Sequence, residues 1–239
     1  MDVRIGFELL LLLEEMAMFE KNKDFFKPDE IEKLERSKIA VIGTGALGQM
    51  VAHTLVRSGI KNMLLMDFDR MEYSNFNRQL YAKISTLGAY KAEVLAEELR
   101  DISSDLSLNV YVERLDEING VERINDCDVL VDCVDYVPAK LYMEQLAEQL
   151  EIPLVHGAVE GWYGQVTTIF PGDKILHRLY QTEKKQTVSA LMSTVNMVAS
   201  VQAMEAIKII IGHKETLRHR ILFMDLRMND YSYINIFQE

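Results

Sequence analysis

Cysteine is scarce in this sequence of 239 residues, which contains only Cys127 and Cys133. The two lie within one short segment and do not have the spacing of a metal-ligand pair. The N-terminal residues also lack the pattern of a secretory signal peptide. A chain with so few cysteines and no such signal suits a reducing compartment, so we expect a cytoplasmic protein.

Positive charge is also in deficit. The chain has 26 Lys and Arg against 37 Asp and Glu, a formal net charge of −11. A surface of this sign repels phosphate backbones, which argues against a general nucleic-acid-binding protein, although a local basic pocket is compatible with it. The most apolar N-terminal run, residues 9–13, is bracketed by Glu8, Glu14 and Glu15 and is too short to span a bilayer. We therefore expect neither nucleic acid nor membrane as a partner.

Low-complexity segments, long single-sign blocks and internal repeats are absent as well, and 49% of the residues are hydrophobic. A chain of this length and composition can bury a large core, so we predict a single domain over residues 1–239. Within residues 1–30, an amphipathic pattern at 4–21 predicts a helix. We expect this N-terminal helical segment to pack on the core or on a dimer partner.

The rest of the chain alternates apolar strand patterns with helical periodicity. Strands are predicted at 38–42, 63–66, 108–115, 129–133, 154–156 and 165–170, with helices from about 91 to 99 and from Leu141 onward. After Pro171 a polar stretch leads to a long helix at 189–211, which Gly212 ends, and to strands at 221–224 and 231–237. This order predicts an α/β fold with a doubly wound, mainly parallel, Rossmann-like sheet and an antiparallel C-terminal edge.

The first strand runs into a glycine turn, Gly43-x-Gly45-x-x-Gly48, that opens a helix. Such glycines let backbone N–H groups approach an anion at the helix N-terminus, where the helix dipole also favours negative charge. Asp67 ends the next strand about twenty residues on, where it can accept hydrogen bonds from ribose hydroxyls. These features predict a nucleotide but not which one. A nicotinamide dehydrogenase would be the default, and a chance match in an apolar strand and helix is the alternative.

The polar residues that follow Asp67 favour a triphosphate. They are Asp69, Asn75, Arg78, Gln79 and Lys91. Two cations and two amides just beyond a ribose site suit ATP, whose charge must be neutralised while its α-phosphorus is attacked and pyrophosphate leaves. For either cation taken singly, a solvated surface position is the alternative.

Asp135 lies just beyond the strand predicted at 129–133. Ligands of doubly wound sheets bind outside the carboxyl ends of the strands, so this carboxylate is expected in the same crevice as Gly45. A carboxylate that faces a triphosphate is repelled unless a metal lies between them, which makes Asp135 a candidate to hold magnesium. The alternative is an N-cap for the helix that starts near Tyr136, and the two roles can coexist.

Taken in order, these motifs resemble the ThiF/MoeB/HesA adenylation family, which shares its fold with ubiquitin-activating enzymes. The resemblance covers residues 32–212 and includes Asp132-Cys133-Val134-Asp135 and Gly157-Ala158. It implies that ATP adenylates a carboxylate, with Arg78, Lys91 and Asp135 as catalytic residues and Asp135 on the magnesium side. The resemblance implies a nucleotide site formed by Gly43, Gly45, Ala46, Leu47, Gly48, Asp67, Asp69, Asn75, Arg78, Gln79, Lys91, Leu115 and Val134.

The sequence departs from this family at its cysteines. Most relatives carry two CxxC pairs for structural zinc, but residues 176–179 read Leu-His-Arg-Leu at the first and no cysteine follows Cys133, so no zinc is expected. Relatives that form a thioester or persulfide keep a cysteine in the loop corresponding to 181–187, where this chain has Lys184 and Lys185. We expect Cys133 to pack rather than react. The family resemblance also implies a homodimer, although its N-terminal arginine motif has no match here.

The missing cysteines favour a small-molecule carboxylic acid as substrate, such as guanylylpyridinol, which a relative in methanogens adenylates during synthesis of the iron-guanylylpyridinol cofactor. A downstream acceptor would then take the acyl group. Alternatives are the C-terminal glycine of a ubiquitin-like sulfur carrier, a non-catalytic nucleotide-binding partner subunit, and a nicotinamide-dependent oxidoreductase. His156, Trp162 and Tyr163 are candidates to contact a planar ligand, with packing in the core or rim as the alternative for each.

Overall fold

The structure is a computed structural model that describes residues 19–180 and 189–236. The helix predicted at 4–21 lies almost wholly outside these residues, as do the loop at 181–187 and Phe237. At the beginning of the described part, Glu20–Asp24 forms a short 3-10 helix.

One eight-stranded sheet organises the molecule, in the order β3-β2-β1-β4-β5-β6-β7-β8. The strands are β1 (Lys38–Ile42), β2 (Asn62–Met66), β3 (Ser107–Tyr111), β4 (Val129–Asp132), β5 (Leu154–Glu160), β6 (Tyr163–Ile169), β7 (Arg220–Asp225) and β8 (Asp230–Asn235). Strands β1 to β5 pair in parallel, and β5 to β8 pair antiparallel. The predicted fold class is therefore confirmed, with one strand more in the antiparallel part than expected. Because only residues 161–162 join β5 to β6, no crossover fits between them and the pair must be antiparallel.

Helices cover both faces of the sheet. They are α1 (Pro28–Arg36), α2 (Ala46–Arg57), α3 (Lys91–Arg100), α4 (Gly120–Ile124), α5 (Val137–Gln149), α6 (Leu176–Leu179) and α7 (Met192–Ile211). Side chains alternate across β1, so Ile39 and Val41 face the core under α2, α3 and α7, whereas Ala40 and Ile42 face the core under α4, α5 and α6. The carboxyl ends of β1, β2 and β4 are left open between these two layers.

Several predicted boundaries differ from the structure. Strand β3 ends at Tyr111 rather than at 115, although Leu115 is buried in the core beyond it. Helix α5 begins at Val137, four residues before the first clear periodic position at Leu141, because Pro138 is tolerated in a first helical turn. The short helices α4 and α6 were not predicted, since their five and four residues give too little periodicity.

Helix α7 is long and apolar enough to cross a membrane by length and composition, and half of its most apolar window is buried. It packs against the sheet, where Val198 comes close to β6 because Gly164 has no side chain. Gly212 ends the helix in the left-handed conformation at φ 75°, as predicted. The apolar character of α7 is that of a helix in a protein core.

Candidate nucleotide-binding cleft

A cleft of about 1310 Å³ opens at the carboxyl ends of the parallel strands. Of the predicted site residues, those that line it are Gly43, Gly45, Ala46, Leu47, Asp67, Asp69, Asn75, Arg78, Gln79, Lys91, Leu115, Val134 and Asp135. Gly48 is the one predicted nucleotide contact outside the lining. The structure thus brings Arg78, Lys91 and Asp135, which come from three different segments, to a single concave surface.

The three glycines of the turn have three different roles. Gly43 adopts φ +86°, and a side chain there would lie 2.7 Å from the carbonyl oxygen of Cys133. A Cβ on Gly48 would lie 1.9 Å from the carbonyl oxygen of Gly43, so this glycine allows α2 to pack on β1. A Cβ on Gly45 would meet only the Gln79 amide, at 3.5 Å, so the cleft beside Gly45 is open. Gly48 is therefore a packing residue, and Gly45 is the one at which a ligand can approach the backbone.

The N-terminus of α2 points into this open space. Gly45 is its N-cap residue, no side chain caps it, and its first turn contains no acidic residue. Uncapped N–H groups and the positive end of the helix dipole form an anion-binding position. The buried amide of Gln49 fixes the turn in place, since it donates to the Thr44 carbonyl at 3.0 Å and accepts from the Tyr81 N–H at 3.0 Å.

Asp67 lies at the end of β2 and is nearly buried. Its carboxylate accepts from the Thr44 N–H at 2.7 Å and from the Asp69 N–H at 2.8 Å. Burial raises the pKa of Asp67, while these backbone hydrogen bonds and the nearby Lys91 oppose the shift. Oδ2 also accepts from the Thr44 hydroxyl at 3.3 Å, so the ribose hydroxyls predicted for this position can donate to the further lone pair of Oδ1.

The two predicted cations are held in different ways. Lys91 is buried at the start of α3 and pairs with Asp69 at 2.9 Å. Arg78 is half-buried and donates through Nη1 to the Ser74 carbonyl at 2.8 Å and to Asn77 Oδ1 at 2.9 Å. Both cations therefore have fixed positions at the cleft wall, where a phosphate group can pair with them.

Asp135 is exposed in the turn between β4 and α5 and lines the cleft. Its alternative role as the helix cap is not the one in the structure, because Tyr136 is the N-cap residue and no side chain caps α5. The turn itself is held by Asp132, whose Oδ1 accepts from the Val134 N–H at 3.2 Å. Asp135 is consequently free of a structural task at the helix end.

The three aromatic candidates for a planar ligand do not lie in the cleft. His156 is fully buried within the sheet layer, so the packing alternative holds for it. Trp162, in the turn between β5 and β6, and Tyr163, the first residue of β6, are exposed but lie outside the cleft lining. Tyr163 stacks on Phe223.

Sequence reasoning missed a buried polar network behind the cleft. Lys140 Nζ contacts both carboxylate oxygens of Asp132, at 3.1 and 3.0 Å, and His156 Nδ1 lies 2.6 Å from Asp132 Oδ2. Burial opposes the charge of Asp132, but Lys140 and His156 outweigh it and lower the pKa of that carboxyl. Burial and Lys140 lower the pKa of His156. No periodic pattern joins these residues, because β4, α5 and β5 each contribute one.

Neither cysteine is placed for chemistry. Cys133 is buried below the glycine turn, and burial, with Asp132 nearby, raises the pKa of its thiol far above the ordinary value. Burial likewise raises the pKa of Cys127, to about 12. Among residues 19–180 and 189–236, no group of three or more His, Cys, Asp or Glu side chains is arranged to hold a metal ion.

The sequence matches the family model described as the ThiF family over residues 19–239. The chain belongs to the ThiF family. The SAMP-activating enzyme E1 of Haloferax volcanii is 30% identical over 205 residues, which cover 83% of this chain and 76% of that protein. The molybdopterin-synthase adenylyltransferase of Haemophilus influenzae is 30% identical over 212 residues, which cover 86% of each. The chain is accordingly an ATP-dependent adenylyltransferase.

Solved structures show the same fold. A crystal structure of PaaA superposes with a TM-score of 0.79 at 19% identity, covering 94% of this chain and 84% of PaaA. The crystal structure of Escherichia coli MccB with ATP superposes with a TM-score of 0.75 at 19% identity, covering 88% of this chain and 67% of MccB. At this level of identity, the likeness concerns the fold alone.

Proposed function

We propose that this ThiF-family protein uses ATP to convert a carboxylate into an acyl-adenylate with release of pyrophosphate, and that the reaction takes place in the cleft. The observation that carries the proposal is the convergence of the uncapped α2 N-terminus, two fixed cations and Asp135 on one concave surface. A dehydrogenase has no use for this combination, whereas a triphosphate requires it.

Each group has a role in this reaction. Asp67 accepts hydrogen bonds from the ribose hydroxyls, and the α2 N-terminus together with Arg78 and Lys91 neutralises the phosphates. An oxygen of the substrate carboxylate attacks the α-phosphorus. The bond from that phosphorus to the bridging oxygen of the β-phosphate breaks, and pyrophosphate leaves with the electron pair. Cations fixed beside the phosphates stabilise the negative charge that develops on the leaving pyrophosphate in the transition state.

Magnesium fits the residues that are present. It binds in proteins through one or two carboxylates together with substrate phosphate oxygens and waters, rather than in an all-protein cage. Asp135 supplies such a single exposed carboxylate beside the phosphate position. When bound, the ion would offset the charge of the phosphates, and Asp135 would hold it there.

A small carboxylic acid such as guanylylpyridinol is the substrate that we propose first. Cys133 and Cys127 are buried with raised thiol pKa values, and the chain has no other cysteine. The activated acyl group therefore cannot move to a thiol of the same chain, and a separate acceptor must take it from the adenylate. We propose that the enzyme acts as a homodimer.

A ubiquitin-like carrier is the second candidate, because a relative is named as an enzyme that activates SAMP. The sheet surface formed by β6, β7 and β8 also exposes Tyr163 and Ile234, with Phe223 between them, as a protein-binding surface would.

A panel that contains guanylylpyridinol and a carrier with a diglycine tail distinguishes the two candidates. Exchange of labelled pyrophosphate into ATP should depend on one and not on the other. A non-catalytic partner subunit would give no exchange with either.

Asp135→Asn tests the mechanism. Because the amide cannot hold the metal against the phosphates, we expect carboxylate-dependent pyrophosphate exchange to fall by about 100- to 1000-fold, while the thermal unfolding midpoint stays unchanged. Glu117→Gln is the matched control, since Glu117 is another exposed carboxylate of the cleft lining. Equal exchange rates for Asp135→Asn and the unmodified protein would contradict the proposal.

A further inference from the structure

The cleft extends past the nucleotide position. Its glycine turn, Asp67 and Lys91 lie over β1, β2 and the start of α3, whereas Tyr180, Lys140 and Ala158 line it on the side of β4 and β5. Strands β4 and β5 lie on the opposite side of β1 from β2. In the proposed reaction, this second part is the space left for the carboxylate that attacks the α-phosphorus. The walls of this part are therefore the walls of the acyl-substrate position.

A continuous chain of hydrogen bonds links one of those walls to the turn that carries Asp135. Tyr180 Oη lies 3.2 Å from His156 Nε2, and His156 Nδ1 lies 2.6 Å from Asp132 Oδ2. The other carboxylate oxygen of Asp132 accepts the N–H of Val134, the residue before Asp135. The chain crosses β4 and β5 and is buried from Asp132 to His156.

One assignment of protons satisfies every group in this chain. Asp132 is anionic beside Lys140, so His156 must donate to it through Nδ1–H, and its Nε2 is then an acceptor. Tyr180 donates its O–H to that Nε2, and the Gln165 amide donates to Tyr180 Oη at 3.2 Å. The pKa directions agree with this assignment. Burial, together with Asp132, raises the pKa of Tyr180, so its hydroxyl keeps its proton. Burial, together with Lys140, lowers the pKa of His156, so its ring is neutral.

We propose that Tyr180 is a positioning residue of the acyl-substrate position and that the buried Asp132–His156 pair fixes its orientation. The same pair also fixes the turn that carries Asp135, so Tyr180 and Asp135 keep a constant position relative to each other. Tyr180 presents its ring to the cleft while its hydroxyl faces inward, so the substrate meets a fixed aromatic wall. Lys140 maintains the charge of Asp132 in the interior and also donates to the Gly157 carbonyl at 3.2 Å, next to the cleft residue Ala158. This inference rests on the function proposed above.

Tyr180→Phe tests it, because the substitution keeps the ring and removes the hydroxyl that fixes its orientation. We expect the KM for the carboxylate to rise about tenfold, the loss of roughly one hydrogen bond, with the KM for ATP unchanged. Tyr231→Phe is the matched control. Tyr231 is an exposed tyrosine of β8 that lies outside the cleft lining. The KM of the control should not change.

Pyrophosphate exchange is measured with guanylylpyridinol and with a carrier that has a diglycine tail, for the unmodified protein and both variants. Exchange in the unmodified protein together with an unchanged carboxylate KM in Tyr180→Phe would overturn the positioning role alone, as would an equal change in both variants. No exchange by the unmodified protein with either substrate would overturn the proposed function, and the positioning role with it.

Nitrogen NMR of the labelled histidines gives an independent reading. A neutral His156 with its proton on Nδ1 supports the chain, and a proton on Nε2 overturns it.

Discussion

Residues that look equivalent in the glycine motif differ in what they contact. The pattern Gly43-x-Gly45-x-x-Gly48 identifies the turn, but only the folded chain shows that Gly48 lets α2 pack closely on the turn and that Gly45 faces open space. The missing Cβ of one glycine therefore contributes to stability, and that of the other contributes to ligand access.

Paired alanine substitutions separate these two effects. In Gly48→Ala the new Cβ would lie 1.9 Å from the Gly43 carbonyl oxygen, so the free energy of unfolding should fall by at least about 1–3 kcal/mol in urea denaturation. In Gly45→Ala it would lie no closer than 3.5 Å to Gln79, so stability should change far less. ATP affinity should instead fall by about tenfold or more, because the methyl group occupies the path of the phosphates. Equal stability losses in the two variants would contradict the assignment of Gly48 to packing and of Gly45 to ligand access.

At the scale of elements, the four-residue helix α6 is anchored by one buried carboxylate of α5. The buried carboxylate of Glu144 on α5 accepts from the Leu176 N–H at 2.6 Å and from the His177 N–H at 3.1 Å, and it contacts His177 Nδ1 at 2.5 Å. These contacts satisfy the first N–H groups of α6, which a helix this short cannot stabilise by itself. Residues 176–179 occupy the position at which the family resemblance places its first CxxC pair, so Glu144 carries out the anchoring there.

Glu144→Gln should weaken this anchoring. The amide keeps the size of the side chain but loses the charge-assisted hydrogen bonds, so we expect the free energy of unfolding to fall by about 1–3 kcal/mol in urea denaturation. Glu148→Gln is the control on the same helix. Its carboxylate is partly exposed and lies 3.9 Å from Lys174, so the expected loss is below about 0.5 kcal/mol. A loss of similar size in both variants would count against the role of Glu144.

For the whole molecule, we expect the cleft to favour ATP over nicotinamide nucleotides. Arg78 lies in the segment between β2 and α3, and Lys91 is the first residue of α3. Both reach the cleft because that segment folds back over the carboxyl edge of the sheet. A dinucleotide has two phosphates where ATP has three, so it offers these cations less negative charge. We therefore expect ATP to bind the folded protein more tightly than NAD does.

Thermal unfolding should show this difference directly. At a magnesium–ATP concentration 100 times its Kd, linkage contributes about 2.7 kcal/mol, which corresponds to a rise in Tm of roughly 5 to 10 °C for a chain of this size. NAD at the same concentration should give no rise, and Gly45→Ala should reduce the rise with ATP. A stabilisation by NAD that exceeds the one by ATP would favour the oxidoreductase alternative instead.

Much of the fold could be read from local patterns. The strand at Lys38–Ile42 and the helix from Lys91 were predicted close to their observed bounds, because buried parallel strands are short apolar runs and the helices between them are periodic. The order of strands and helices was enough to indicate a doubly wound sheet. All but one of the site residues selected by motif spacing and by the family resemblance line the cleft, since the carboxyl ends of parallel strands meet at one edge.

Only the tertiary structure decided which residues meet when no periodicity connects them. The sequence placed His156 among the candidates for ligand contact, but the pairing of β4 with β5 sets it beside Asp132 in the interior. The same pairing, with α5 packed above it, assembles Asp132, Lys140 and His156 into one network. Burial and hydrogen-bond partners depend on contacts between distant segments, so the fold and not the local sequence lowered the pKa values of Asp132 and His156.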